Sequence, residues 1–411
     1  MKQEITPELF ATDSYSKNPF PIWRQMRHEQ PLFYNSALNH WMLTRYDDVM
    51  TVLRDYQTYS TRTYINRFRP IFGRTLAELD GPRHIRERTI VAPAFVGKNL
   101  DGYRPFIARS IDRLAENIKK SQNVDLVKSM TNLLPLTVIA SLLGIPEQDD
   151  EFVFVVGNSI LAAIGNTPEF VDRGAKAHQE FSAYLAPIIA QRREKPTDDL
   201  ISRIVHGEAE GQHLTQDEIC SFISFLLVAG GPTTDTAIAN FWWNLLSDRE
   251  QLEECRNSPE RIGKAFSESL RRDGPIINED RMTNVETEWH GVTIPANSVI
   301  VICLGSANTD DSIFAEAETF NPDRTDLLMG IERKGGFHEN GMAGHMAFGM
   351  GSHFCMGYQL ARAEAEMATE QFLTAVPNIR LTADQQPMAR FFDRFVSTLP
   401  VSFGVTTAER S

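Results

Sequence analysis

Phe348-Gly349-Met350-Gly351-Ser352-His353-Phe354-Cys355-Met356-Gly357 is the stretch on which the reading of this chain turns. Three glycines and one cysteine precede a run rich in Ala and Glu, Gln359 to Ala375, whose composition predicts a helix. Glycine has no Cβ, so the backbone here can approach a flat ligand closely. It also leaves amide N–H groups free to point at a sulfur. A thiolate near a helix N-terminus is further stabilised by the helix dipole. For a bare GxGxxC, a buried cysteine in a glycine-rich turn is the ordinary explanation. A zinc site built from His338, His345 and Cys355 is the other metal reading, but its spacing fits no usual structural zinc pattern.

Working upstream, Glu268-Ser269-Leu270-Arg271 lies in a helical stretch that starts at Ser258-Pro259-Glu260 and runs to about Arg272. Residues i and i+3 share a helix face, so Glu268 and Arg271 can point together. Alone, such a pair is equally a surface ion pair worth about 0.3–0.5 kcal/mol. Further upstream, Thr215-Gln216-Asp217-Glu218 is a capping box. The helix it opens reads apolar nearly all round to about Leu246, which places it in the middle of the protein. Within it lies Ala229-Gly230-Gly231-Pro232-Thr233-Thr234. Near the beginning of the chain, Asp80-Gly81-Pro82 is a stop, followed by a helical stretch from His84 to about Val91. His84 and Arg88 share one face of it, as i and i+4.

Taken in order, these segments resemble the cytochrome P450 family, from about Pro21 to Val405. The cysteine loop resembles that family's haem-binding signature, with Phe348, Gly349, Gly351, His353, Cys355 and Gly357 all in place. The resemblance implies a mainly α fold with a minor β part. It implies haem b as cofactor, with Cys355 as the iron ligand; an anionic sulfur there favours O–O cleavage. Glu268 and Arg271 resemble the family's ExxR pair, and Arg324, in Phe320-Asn321-Pro322-Asp323-Arg324, matches its third member. His84, Arg88, Arg281 and His353 match partners of the haem propionates; each alone could be a solvated basic residue.

Ala229 to Thr234 resembles the oxygen-activation motif AGx[D/E]T[T/S], which implies catalytic roles for Thr233 and Thr234. In the family the glycines let the helix open locally and the acid relays protons. Here the acid position holds Pro232. Proline inside a helix costs about 3 kcal/mol or more and frees the carbonyl four residues back, that of Val228. Asp235-Thr236 is not the displaced motif, because Ala229-Gly230-Gly231 fixes the register and Asp235 then faces elsewhere. The loop before the His84 helix roofs the pocket in the family. It carries Tyr64, Phe68 and Phe72, with Arg67 and Arg69 as candidates for an acidic substrate group or for solvent. Other pocket positions by resemblance are Val228, Ala229, Ile276, Ile277, Phe391 and Phe392; ordinary core explains each about as well.

The 411 residues would allow two or three domains, but a single large core serves as well, and one domain over residues 1–411, with a small β region near the N-terminus, is expected. The hydrophobic fraction of 42% argues against disorder, and the net charge of −13 argues against nucleic-acid binding. Cys220, Cys255 and Cys303 read as small buried residues, not a disulfide framework. Met1 to Phe20 has no apolar signal core, and the uncharged run Ile219 to Thr234 is shorter than the ~20 residues of a membrane span, so no membrane and a cytoplasmic location are expected. Helix signals also appear over Tyr46–Arg54, Ile111–Lys119 and Asn132–Leu143, the last stopped at Gly144; Pro196-Thr197-Asp198-Asp199 opens another, with Thr197 as cap. Strands are expected at Trp41–Thr44, Val292–Pro295 and Ser298–Leu304.

The resemblance implies a monooxygenase that inserts one oxygen atom from dioxygen into a small, largely apolar or aromatic substrate by hydroxylation, epoxidation or dealkylation. Electrons would come from a separate ferredoxin- or flavodoxin-type protein docking on the Cys355 side. A peroxide-driven or one-electron oxidant of the phenol-coupling type is the rival on the same fold. A non-catalytic recruitment module is the rival from another class, and loss of the cysteine would favour it.

Overall fold

The computed structural model describes residues 4–121, 123–329, 341–376, 378–383 and 385–403. It is 59% helical with a small strand part. His338, of the zinc reading, and Val405, at the end of the resemblance, lie outside the described residues.

The central helix spans Gln216–Ser247. Its capping box forms as expected: Thr215 Oγ1 accepts from the Glu218 amide at 3.3 Å, and Glu218 Oε2 accepts from the Thr215 amide at 2.9 Å. By length and composition this helix could cross a membrane, but its apolar side chains are spent on the core. Helices Leu134–Leu142, Pro168–Glu194, Glu260–Asp273 and Tyr358–Ala375 pack against it. Phe241 and Trp242, both fully buried, meet Phe266 and Phe372 edge-on at 5.4 and 5.5 Å.

Local signals explain most helix ends. Gly144, at φ +70°, closes Leu134–Leu142: the Ile145 amide donates to Ala140 O and the Gly144 amide to Ser141 O, a Schellman arrangement. One cap differs from expectation. Asp199, not Thr197, caps Leu200–His206, accepting from the Ser202 amide at 2.7 Å. Thr197 instead donates to Asp199 Oδ2 at 2.7 Å, because Arg192 and Ser202 fix that carboxylate at the helix start.

The β part is not confined to the N-terminal region. In the main sheet, Leu32–Asn35 pairs antiparallel with His40–Leu43, which runs parallel to Val299–Ile302. Val299–Ile302 in turn pairs antiparallel with Glu279–Thr283, and Tyr59–Ser60 closes the edge. This sheet fixes Arg281 opposite Ile300 and brings residues near 280 beside the helix Tyr64–Phe72.

Candidate active site

The cysteine loop is a tight reversal. The Cys355 amide donates to Phe348 O at 2.8 Å, and the Gly349 amide to Met346 O at 2.9 Å. Gly349 and Gly351 have φ +68° and +66°. A Cβ on Gly351 would also stand 2.7 Å from Leu53 O, so that glycine is required twice over. Cys355 then sits just before the helix Tyr358–Ala375, and the Gly357 amide hydrogen-bonds the sulfur. Burial pushes the thiol up, opposed by that amide and by Arg88. Yet Cys355 is partly exposed while Cys220, Cys255 and Cys303 are buried.

Beside this loop four basic residues from three distant segments converge. The His84 and His353 rings lie 4.2 Å apart between centroids. Arg88 donates to Phe354 O, one residue from the cysteine. The Arg281 charge helps hold the His353 imidazole below its ordinary range, after the larger effect of burial. Asp80 Oδ1 takes His353 Nε2 at 2.9 Å, and Asp80 Oδ2 accepts from Ser60 Oγ at 2.6 Å. His84 Nδ1 is buried without a partner among the described residues, and burial, with His353 and Arg88 beside it, pushes its pKa down to about 3. Two guanidiniums and an orphaned imidazole nitrogen next to a partly open thiol fit a ligand that carries carboxylates.

The central helix meets the Tyr64–Phe72 helix through the Phe225 ring. Phe225, Ala229 and Thr233, at i, i+4 and i+8, share one face of the central helix and are incompletely buried, with Ala229 exposed. The helix stays continuous through Gly230-Gly231-Pro232 rather than opening. Its glycines have a packing reason: a Cβ on Gly231 would lie 2.9 Å from Leu136, and one on Gly230 3.0 Å from Ile139. Thr233 Oγ1 donates to Ala229 O at 2.7 Å, whereas Thr234 is buried. Asp235 faces away, as expected, accepting from Thr131 at 2.6 Å and Asn132 at 3.1 Å. Burial pushes its carboxyl up to about 6.

The ion pair behind the loop is fully buried. Arg271 donates to both Glu268 oxygens at 2.7 and 2.8 Å, and to the carbonyls of Asn308 and Ala317. Arg324 Nε lies 2.9 Å from Glu268 Oε2, but its N–H is not aligned with that oxygen, so the contact is ionic. The Asn321 amide completes the carboxylate at 3.0 Å.

Of the expected pocket residues, Phe68 and Phe72 sit on the helix Tyr64–Phe72 and meet Phe225 at 5.1 and 5.7 Å. Val228, Ile276 and Phe392 are buried, partly exposed and exposed respectively. Ile277 is buried in the N-terminal cluster beside Trp23, and the partly buried Phe391 packs against that cluster, its ring 6.4 Å from that of Phe10. Arg67 and Arg69 are engaged by the protein itself, with Asp280 at 2.9 Å and Glu78 at 2.6 Å. Two residues here were not anticipated. Phe225 was legible as the position four before Ala229, and Glu279 as the position two before Arg281 on one strand face.

A helix-rich core with a glycine-framed, partly exposed cysteine beside four basic side chains is the architecture of a haem-thiolate protein. The comparisons agree: the cytochrome P450 family model matches residues 167–387. The chain is 30% identical to a cytochrome P450 of Bacillus subtilis (strain 168) over 97% of both chains. It is 31% identical to cytochrome P450 107B1 of Saccharopolyspora erythraea, covering 97% of this chain and 98% of that one. Among solved structures, the Bacillus subtilis polyketide-synthase cytochrome P450 PksS superposes with a TM-score of 0.84 at 30% identity, over 98% and 100% of the two chains. The chain belongs to the cytochrome P450 family. Its members are oxidoreductases, monooxygenases that bind haem b through a cysteine thiolate.

Proposed function

We propose that Cys355 is the haem-iron ligand of a monooxygenase acting on a small, largely apolar or aromatic molecule. The observation that carries this is the gathering of His84, Arg88, Arg281 and His353 beside the partly open Cys355. In this reading those four hold the propionates, while Phe348 and Gly349 frame the loop. Haem b on a thiolate supplies activation of dioxygen for insertion of one oxygen atom into substrate. A separate ferredoxin- or flavodoxin-type protein delivers electrons on the Cys355 side, and the enzyme works in the cytoplasm.

The chain's own part is orientation and proton handling. The Thr233 hydroxyl hydrogen is committed to Ala229 O, so its lone pairs are what it offers the cavity. It therefore accepts a proton-bearing partner, such as water, until the hydroxyl rotates. Pro232 has no N–H, so the Val228 carbonyl lacks its helical donor and is a second acceptor. Asp235 does not replace the missing acid, since both its oxygens are turned to Thr131 and Asn132. Protons then travel through water held between Val228 and Thr233, or come from the substrate.

General-acid assistance is worth about 10²–10⁴-fold in rate. Thr233→Ala is accordingly expected to lower product formed per reductant consumed severely, and Pro232→Asp to be neutral or harmful. Coupling in Thr233→Ala equal to wild type would remove Thr233 from the path. Improved coupling and less peroxide leakage in Pro232→Asp would instead show an uncompensated loss. Pro232 is also what favours the second reading, a peroxide-driven or one-electron oxidant; turnover with peroxide exceeding turnover with dioxygen and a reductase would establish it.

The propionate assignment has its own test. A His84→Leu, Arg88→Leu double variant is expected to lose haem readily on desalting. Full retention would refute the assignment.

A further inference from the structure

Glu279 stands two residues from Arg281 on one strand, so both side chains emerge from the same face. Its carboxylate accepts from the Tyr64 hydroxyl and lies 3.9 Å from Arg281. The side chain keeps 31% exposure, yet burial pushes its carboxyl above the usual range. The carboxylate is thus a third exposed while crowded by Tyr64 and Arg281.

Charge accounting singles out this carboxylate. Asp280 is neutralised by Arg67 at 2.9 Å. If Arg281 serves a haem carboxylate, as the proposed function holds, Glu279 keeps the neutral Tyr64 hydroxyl and the field of Arg67, which is itself paired with Asp280. An ionised carboxylate in such a place calls for a cation. The surroundings suit one. Tyr64 and Phe68 stack at 5.1 Å, Phe225 meets Phe68 at 5.1 Å, and Arg67 already lies over the Tyr64 and Phe392 rings at 5.5 and 5.1 Å. Aromatic faces beside a carboxylate are the chemistry that recognises alkylammonium groups.

We propose that Glu279, with Tyr64 and the aromatic rings around it, forms a subsite for a cationic nitrogen of the substrate, so that the substrate class is an apolar or aromatic amine. This rests on the haem reading, through the commitment of Arg281. It replaces the acidic substrate group that Arg67 and Arg69 first suggested, since both arginines are already paired.

The test uses holoenzyme and two shape-matched ligands, trimethyl(3-phenylpropyl)ammonium and its uncharged carbon analogue (4,4-dimethylpentyl)benzene. A quaternary nitrogen cannot ligate iron, so calorimetric affinity reports the subsite alone. Wild type is expected to bind the cation about tenfold or more tightly than the neutral ligand (about 1.4 kcal/mol per tenfold). Glu279→Gln is expected to abolish that preference while keeping its affinity for the neutral ligand, which certifies an intact pocket. Equal affinities in wild type, or a preference retained in Glu279→Gln, overturn the proposal. The reduced carbon monoxide spectrum separates the two readings. A thiolate spectrum without cation preference sinks the subsite alone. A non-thiolate spectrum sinks the haem assignment, and the subsite with it, because Arg281 is then left to Glu279.

Discussion

Cys355→Ala is expected to abolish the thiolate-type absorption of the reduced carbon monoxide complex completely, and with it dioxygen-dependent turnover. No other cysteine can take over. Cys220, Cys255 and Cys303 are buried in packed side chains, and burial pushes the Cys255 thiol up to about 12. Only Cys355 combines access with a backbone amide on its sulfur and a helix N-terminus behind it. Because Cys355 is partly exposed and outside the core clusters, its truncation leaves the helices their contacts. The variant should therefore stay folded while its spectrum changes. A normal thiolate spectrum from Cys355→Ala would sink the assignment.

Glu268→Ala is the second large effect, expressed in stability rather than colour. Glu268 and Arg271 have no solvent exposure, so deleting the carboxylate strands a guanidinium in the interior. Breaking such a pair costs about 3–5 kcal/mol, a large part of the roughly 5–15 kcal/mol that holds a typical fold together. Arg324 is hurt less, since Asp326 remains 2.6 Å away. The Asn321 amide also loses its acceptor, which loosens Phe320 to Arg324. The expected result is a markedly lower melting temperature and a low haem-to-protein ratio. Purification with full haem and normal melting would contradict it. Glu268→Gln keeps an oxygen for Asn321 and should fall between the two.

What was legible in the sequence followed from local rules. The capping box at Thr215 and Glu218 fixes the start of the central helix within one turn of chain. Gly144 announces the end of another, because only a residue at ease with positive φ closes that Schellman turn. The ten residues ending at Gly357 specify a glycine-framed sulfur before a helix, and the structure has that geometry. Where local rules compete, the sequence misled. Thr197 and Asp199 are both good caps, and the choice went to Asp199 because Arg192, from the preceding helix, braces its carboxylate. Gly230 and Gly231 read as a place for the helix to open, whereas Leu136 and Ile139 press on them from a neighbouring helix.

The sequence by itself thus determined the elements, the cysteine loop, the buried-pair candidates and the family resemblance, all of which depend on residues within a few turns of each other or on motif order. Tertiary structure alone decided which side chains share the cavity. It set Ile277 and Phe391 in a separate core, paired Arg67 and Arg69 with Asp280 and Glu78, and turned Glu279 toward Tyr64 and Arg281. The physical reason is that charge compensation and packing are properties of neighbours in space. Two of these pairs, Arg67 with Asp280 and Tyr64 with Glu279, lie some two hundred residues apart in the chain, and no local pattern records them.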